Sequence, residues 1–197
     1  MKKLLTILAA FGLTASASTS VVACGDKDSE SEKLVKQVYA NFVKPTNKKE
    51  LEDTLDKIYD EQEALEDEIK KDVLGSDYEE IEATTEQKKE MINHEKAQSY
   101  LAYIVLENYL DVISEVFDDN KETAQEYLVY VENLSKEFIA NDEDDEKDQI
   151  KVTPSAANKS NTERLIKDAQ KDIDAMTDEV VTPEEPTTPE QPDQPEE

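Results

Sequence analysis

The chain uses only three glycines in 197 residues, Gly12, Gly25 and Gly75. A sheet protein of this length turns its chain many times and draws on glycine, proline and β-branched residues to do so. Here glycine is almost absent and tryptophan is missing, whereas Glu, Lys, Leu, Ala and Asp, most of them good helix formers, are abundant. The backbone that this composition permits is helical, and its breaks must fall at the few stops present.

Those stops divide the chain. Ser29 and Glu32 have capping-box spacing and open a helix running to about Val43, with Leu34, Val35, Val38, Tyr39, Phe42 and Val43 on its apolar face and Pro45 as its stop. Asn47 with Glu50 opens the next helix, whose stripe is Leu51, Leu55, Ile58, Leu65, Ile69 and Val73, with Gln62 filling the gap. Gly75 is its C-cap. Beyond a connector, residues 86–118 read as the longest helix, about 50 Å at about 1.5 Å per residue. Its second half is apolar on two adjacent faces, one carrying Leu101, Val105, Tyr109, Val112 and Val116, the other Ala102, Leu106, Leu110, Ile113 and Phe117. So wide an apolar arc touches more than one neighbour, which places it at the bundle centre. Glu107, Asp111 and Glu115 interrupt it and exclude a membrane span.

Asp119 and Asn120 then cap a helix over 121–140 with Ala124, Tyr127, Val131, Leu134 and Phe138 inward. Residues 141–161 read as a long mobile loop. Thr162 begins a last helix with Ile166, Ala169, Ile173, Met176 and Val180 on one face. Residues 182–197, proline-rich and acidic, read as a disordered tail. The expected fold is all-α: a bundle of four or five amphipathic helices over 32–181, with a flexible N-terminal tether at 24–31 and that tail. A coiled-coil dimer is the competing use of such spacing. The Pro45, Gly75 and Asp119-Asn120 breaks favour the intramolecular bundle.

The first 23 residues differ from everything after them. Lys2 and Lys3 precede an apolar run from Leu4 to Leu13, about ten residues and too short for a bilayer that needs about 20. A small polar stretch follows, as in a secretory signal peptide. Val21-Val22-Ala23-Cys24 then resembles the lipobox of bacterial lipoproteins, and residues 1–27 are similar to the leaders of surface lipoproteins of wall-less bacteria of the Spiroplasma and Mycoplasma group. The resemblance implies recognition of Val21, Val22 and Ala23 by a lipoprotein signal peptidase, cleavage after Ala23, and diacylglycerol on the Cys24 thiol. It also implies attachment at the outer face of the cell membrane. Cys24 is the only cysteine in the chain, and two acyl chains give the double anchor that stable attachment needs.

Charge narrows the partners. The formal net charge is −27, and loss of Lys2 and Lys3 with the leader makes it −29. Such a surface repels nucleic acid phosphates and anionic headgroups, so no nucleic acid partner is expected and the body stands off the membrane. Cys24, once lipidated, leaves no disulfide.

Chemistry for catalysis is sparse. His94 is the only histidine and reads as a boundary residue of the bundle. Two mature glycines build no phosphate loop, and zinc sites need Cys and His in greater numbers, so neither a cofactor nor a metal is expected. Asp142, Asp144 and Glu146 alternate like calcium-loop ligands, but Lys147 stands where that loop requires glycine and Thr153 where it requires glutamate. The run reads as a solvated loop, with weak nonspecific divalent binding as the alternative.

Glu107, Asp111, Glu115 and Asp118 share one helix face, and no Lys or Arg occurs from Ala97 to Asn120. Such a ridge is a candidate docking face for a basic protein partner; a solvated face, or pairing with lysines of a neighbouring helix, is the plainer account. Tyr100, Tyr103, Tyr127 and Tyr130 lie off the main stripes, at rim or binding positions. The leading expectation is a lipid-anchored surface lipoprotein with an interaction, adhesion or structural role and no catalytic activity. The alternatives are an accessory or ligand-binding lipoprotein of a membrane transporter or complex and, third, a carboxylate-dependent enzyme.

Overall fold

A computed structural model describes residues 29–78, 81, 83–139 and 151–176. The leader with its Val21-Val22-Ala23-Cys24 site, most of the 24–31 tether, the acidic run with Asp142, Asp144 and Glu146, Val180 and the 182–197 tail lie outside the described residues. The described residues form six α-helices and one short antiparallel ladder: α1 Glu30–Asn41, α2 Lys48–Leu74, α3 Thr85–Ile92, α4 Ala97–Phe117, α5 Lys121–Lys136, β1 Phe138–Ile139, β2 Lys151–Val152 and α6 Ala156–Ala175. The all-α bundle read from the sequence is the fold.

Most helix starts follow the cap chemistry. The Ser29 hydroxyl accepts from the Glu32 amide at 3.2 Å, and α1 begins at Glu30, inside the expected tether. It ends at Asn41, short of the expected Val43, because residues before Pro45 are driven out of the helical region. Val43 therefore leaves the apolar face and is 77% exposed. Asn47 caps α2 through the Glu50 amide at 3.0 Å, while the Glu50 carboxylate accepts from the Thr46 amide and hydroxyl, each at 2.8 Å. Gly75 closes α2 at φ 93°, its amide reaching the Lys71 carbonyl at 3.0 Å.

The single helix expected over 86–118 is two. Asn93 turns its side-chain amide onto the Lys89 carbonyl at 2.7 Å, and the His94 ring accepts from the Lys96 amide at 3.3 Å, so local side chains satisfy the backbone where the helix stops. A salt bridge from Lys96 to Glu68 at 2.6 Å and a polar contact of His94 Nε2 with Asp72 at 3.3 Å fix the break against α2. The split makes α2, at 27 residues, the longest helix, and adds a sixth to the five expected.

Central placement of α4 is as read. It packs on α1, α2, α5 and α6, with Ala102, Tyr109, Leu110 and Val112 wholly buried. The turn from α4 to α5 has both bonds of a Schellman motif: the Asn120 amide meets the Glu115 carbonyl at 2.9 Å and the Asp119 amide meets that of Val116 at 3.2 Å. Asp119 takes the left-handed position, φ 56°, where glycine is usual.

Two further boundaries differ. Helix α5 ends at Lys136 rather than about 140, and Phe138 enters the ladder, paired with Val152, from which it packs on the core. Helix α6 begins at Ala156, six residues before Thr162, capped by Ser155 accepting from the Asn158 amide at 3.2 Å. Of the expected mobile loop, residues 151–161 thus hold β2 and the first turns of α6, and 141–150 lie outside the described residues. Among the described residues no helix is long and apolar enough to cross a membrane.

Candidate functional site: an acidic seam, a polar tie and an apolar cavity

The acidic ridge is not a free face. Glu107, Asp111 and Glu115 are half-buried, and the first two face α2. Gln62, the polar member of the α2 stripe, is 2% exposed and donates its Nε2 hydrogen to the Glu107 carboxylate at 3.0 Å; its Oε1 has no partner among the described residues. Burial pushes the Glu107 carboxyl above the usual range, against the Gln62 hydrogen bond, with Asp111 adding to the rise. Asp111 goes further, to about 6, through burial and then the charge of Glu115. Tyr59, across the seam, is pushed up to about 12 by burial and by Glu107 and Asp111. Only Asp118 ends as a surface group, in an ion pair with Lys48 whose partners are 59% and 51% exposed in the order Lys48, Asp118. The sequence placed these four on one face; the packing turns Glu107 and Asp111 into a helix–helix boundary, while Glu115 accepts from the Asn120 side chain at 2.8 Å at the end of α4.

The tyrosines divide similarly. Tyr100, Tyr103 and Tyr127 are half-buried against the core, while Tyr130 is 49% exposed. Burial raises the Tyr100 and Tyr103 hydroxyls, with Glu66 and Glu107 adding at the first and Glu61 at the second.

Helix α6 is tied in by groups that periodicity did not single out. Lys44, just past α1, reaches Asp168 at 2.7 Å and also binds Asp172, and the Tyr109 hydroxyl donates to Asp168 at 2.8 Å. Burial alone raises Asp168, but the Lys44 ammonium and the Tyr109 hydroxyl outweigh it and hold the carboxyl below its usual range. At the other end of α6, Tyr39 donates to Asn158 Oδ1 at 3.0 Å, and Asn158 Nδ2 donates to the Gln98 carbonyl at 2.9 Å and to its Oε1 at 3.0 Å. The signal for this tie was Asn158 and Thr162 at helical spacing with Leu165 and Ala169, two polar residues in register with apolar ones.

The third feature is a cavity of about 60 Å³ between α2, α3, α4 and the β-ladder. Its wall includes Ile69, Met91, Ile92, Leu101, Phe138 and Val152. It adjoins a small second core in which Ile69 and Met91 are buried beside Val73, Leu74, Ala83 and Tyr100. Glu66 and Lys70 also border it, and their charged ends pair with each other.

Among the described residues, no group of three or more His, Cys, Asp or Glu side chains is placed to hold a metal ion. His94 lies at the helix break with its side chain 15% exposed, a boundary residue that faces Asp72. Comparison with protein-family models, with curated proteins and with solved structures gave no match.

Proposed function

We propose that this chain is a lipid-anchored surface lipoprotein, held at the outer face of the cell membrane through Cys24, whose helical body serves an interaction, adhesion or structural role and no catalysis. The observation that carries the reading is the sole cysteine at position 24, directly behind Val21-Val22-Ala23 and a short apolar run. Five residues separate Cys24 from the start of α1 at Glu30, a reach of about 20 Å when extended. The anchor therefore keeps the body close to the lipid surface, while the net charge, −29 once Lys2 and Lys3 leave with the leader, repels anionic headgroups. The non-catalytic reading is supported by where the raised carboxylates lie. Glu107 and Asp111 face Tyr59 and Gln62 in a helix seam, while the cavity is bordered by other residues.

Phase partitioning tests the anchor. The protein expressed with its leader in a bacterium that processes lipoproteins is expected in the detergent phase, and Cys24→Ala in the aqueous phase. Equal partitioning of the two contradicts the reading. A second reading, an accessory or ligand-binding lipoprotein of a membrane transporter or complex, is favoured by the apolar cavity. The seam offers a basic protein partner less than the sequence suggested, since Glu107 and Asp111 face α2 and Asp118 is paired with Lys48.

A further inference from the structure

We infer that the cavity between α2, α3 and α4 is a binding site for a small, uncharged, apolar ligand, or for the branched aliphatic end of one. Its wall carries almost no polar surface: Ile69, Met91, Ile92, Leu101, Phe138 and Val152 supply hydrocarbon, sulfur and a ring. Glu66 and Lys70 lie along it, but their charges are spent on each other in an i,i+4 pair. A charged ligand entering here would give up its hydration to a wall whose polar groups are only the Glu66–Lys70 pair and the Tyr100 hydroxyl, too few to replace it, which disfavours sugars, nucleotides and metal ions. At about 60 Å³ the cavity is well below the about 150 Å³ that holds benzene, so it suits about two or three carbons, such as the branched end of an aliphatic ligand whose polar head stays at the mouth.

The surroundings also bear on entry. One wall is α3, a helix of eight residues joined to α4 through the Asn93–Lys96 break. Ile69 and Met91, the buried pair beside the cavity, belong to a cluster apart from the main core that holds Leu106, Tyr109 and Leu110, so α3 can yield with little disturbance to that core. A void in the main core would have no such route. The inference rests on the cavity alone and stands whether or not Cys24 carries lipid.

Methyl-resolved NMR titration of the protein with isobutanol tests it, with isovalerate and isobutylammonium as charged counterparts of matched shape. Burying about three carbons gives an expected Kd on the order of ten millimolar. The expected result is saturable shifts at Ile69, Ile92, Met91 and Leu101 with isobutanol and at least tenfold weaker binding of both ions. Ala97→Leu, which grows a side chain from the cavity wall, weakens isobutanol binding at least tenfold; Ile92→Phe is the second filling variant should the first perturb the start of α4. Absence of saturable shifts overturns the inference. So do equal binding of the charged probes, and isobutanol binding unchanged in a folded filling variant.

Discussion

Asp111→Asn is expected to stabilise the protein at neutral pH and to lose that advantage in acid. Asp111 sits half-buried on α4 between Glu107 and Glu115, one turn away on either side, and its carboxyl is raised from 3.8 to about 6. At full effect that rise corresponds to about 3 kcal/mol of destabilisation of the charged form. Partial solvent contact screens it, which leaves about 1–2 kcal/mol. The sign follows from linkage. The folded state holds the Asp111 proton more tightly than the unfolded chain, so the wild type gains stability as pH falls from about 7 through 6, and the gain is complete below the unfolded value near 3.9. Asparagine carries no charge at any pH, so its advantage is full at pH 7.5, shrinks between about 6 and 4 and vanishes below. Urea unfolding followed by far-UV circular dichroism reads it as a midpoint rise of about 0.5–1 M at pH 7.5, taking about 2 kcal/mol per M for the slope. Because a chain of net charge −27 gains from losing any acid, Glu126→Gln on the exposed face of α5 is the control, expected within about 0.5 kcal/mol and without that pH profile. A destabilised Asp111→Asn, or the same gain at pH 4 and pH 7.5, refutes the reasoning.

Other substitutions probe the turns and ties. Asp119→Gly relieves the left-handed strain at φ 56° and should raise stability by about 1 kcal/mol, measured as a thermal midpoint increase. Gly75→Ala should cost about 1–2 kcal/mol by backbone strain alone, since an added Cβ meets nothing within 4 Å there. Lys44→Met leaves Asp168 and Asp172 as an uncompensated pair one turn apart and should lower stability at pH 7 by about 1–2 kcal/mol. That loss fades as pH drops through the depressed Asp168 value and the carboxylates protonate, which urea midpoints at pH 7 and pH 2 would compare. Asn158→Ala removes the bonds to the Tyr39 hydroxyl and to Gln98, leaving Tyr39 only Thr162 at 3.5 Å and Gln98 its bond from the Ser155 amide, and should cost about 1–2 kcal/mol in chemical unfolding.

How far the sequence could be read depended on whether the deciding chemistry was local. Ser29, Asn47, Gly75 and Asn120 mark helix ends through bonds to residues a few positions away, and all four do so in the structure. The two apolar faces of α4 likewise announced a central helix, because a wide arc has no other use. The break at Asn93–Lys96 was hidden because the spacing of Met91, His94, Gln98 and Leu101 fits one continuous helix; what divides it is Asn93 competing for a backbone carbonyl and the contacts of Lys96 with Glu68 and of His94 with Asp72 on α2. Phe138 fits the α5 stripe equally well, yet it pairs with Val152, a partner no local pattern names. The start of α6 at Ala156 was masked by its polar sequence, whose Asn158 and Thr162 are buried only because Tyr39 and Gln98 meet Asn158 there. Glu107 and Asp111 show the same limit at the candidate site. Helical spacing put them on one face, and only the arrival of Tyr59 and Gln62 turned that face inward.

The account's central claim is attachment through Cys24, and the mature N-terminal peptide tests it most directly. Mass spectrometry of that peptide, from protein produced with its own leader in a lipoprotein-processing cell, is expected to show a chain beginning at Cys24 with diacylglycerol on its sulfur. A chain that retains Met1, or that begins at Cys24 or elsewhere with no lipid on the cysteine, contradicts it.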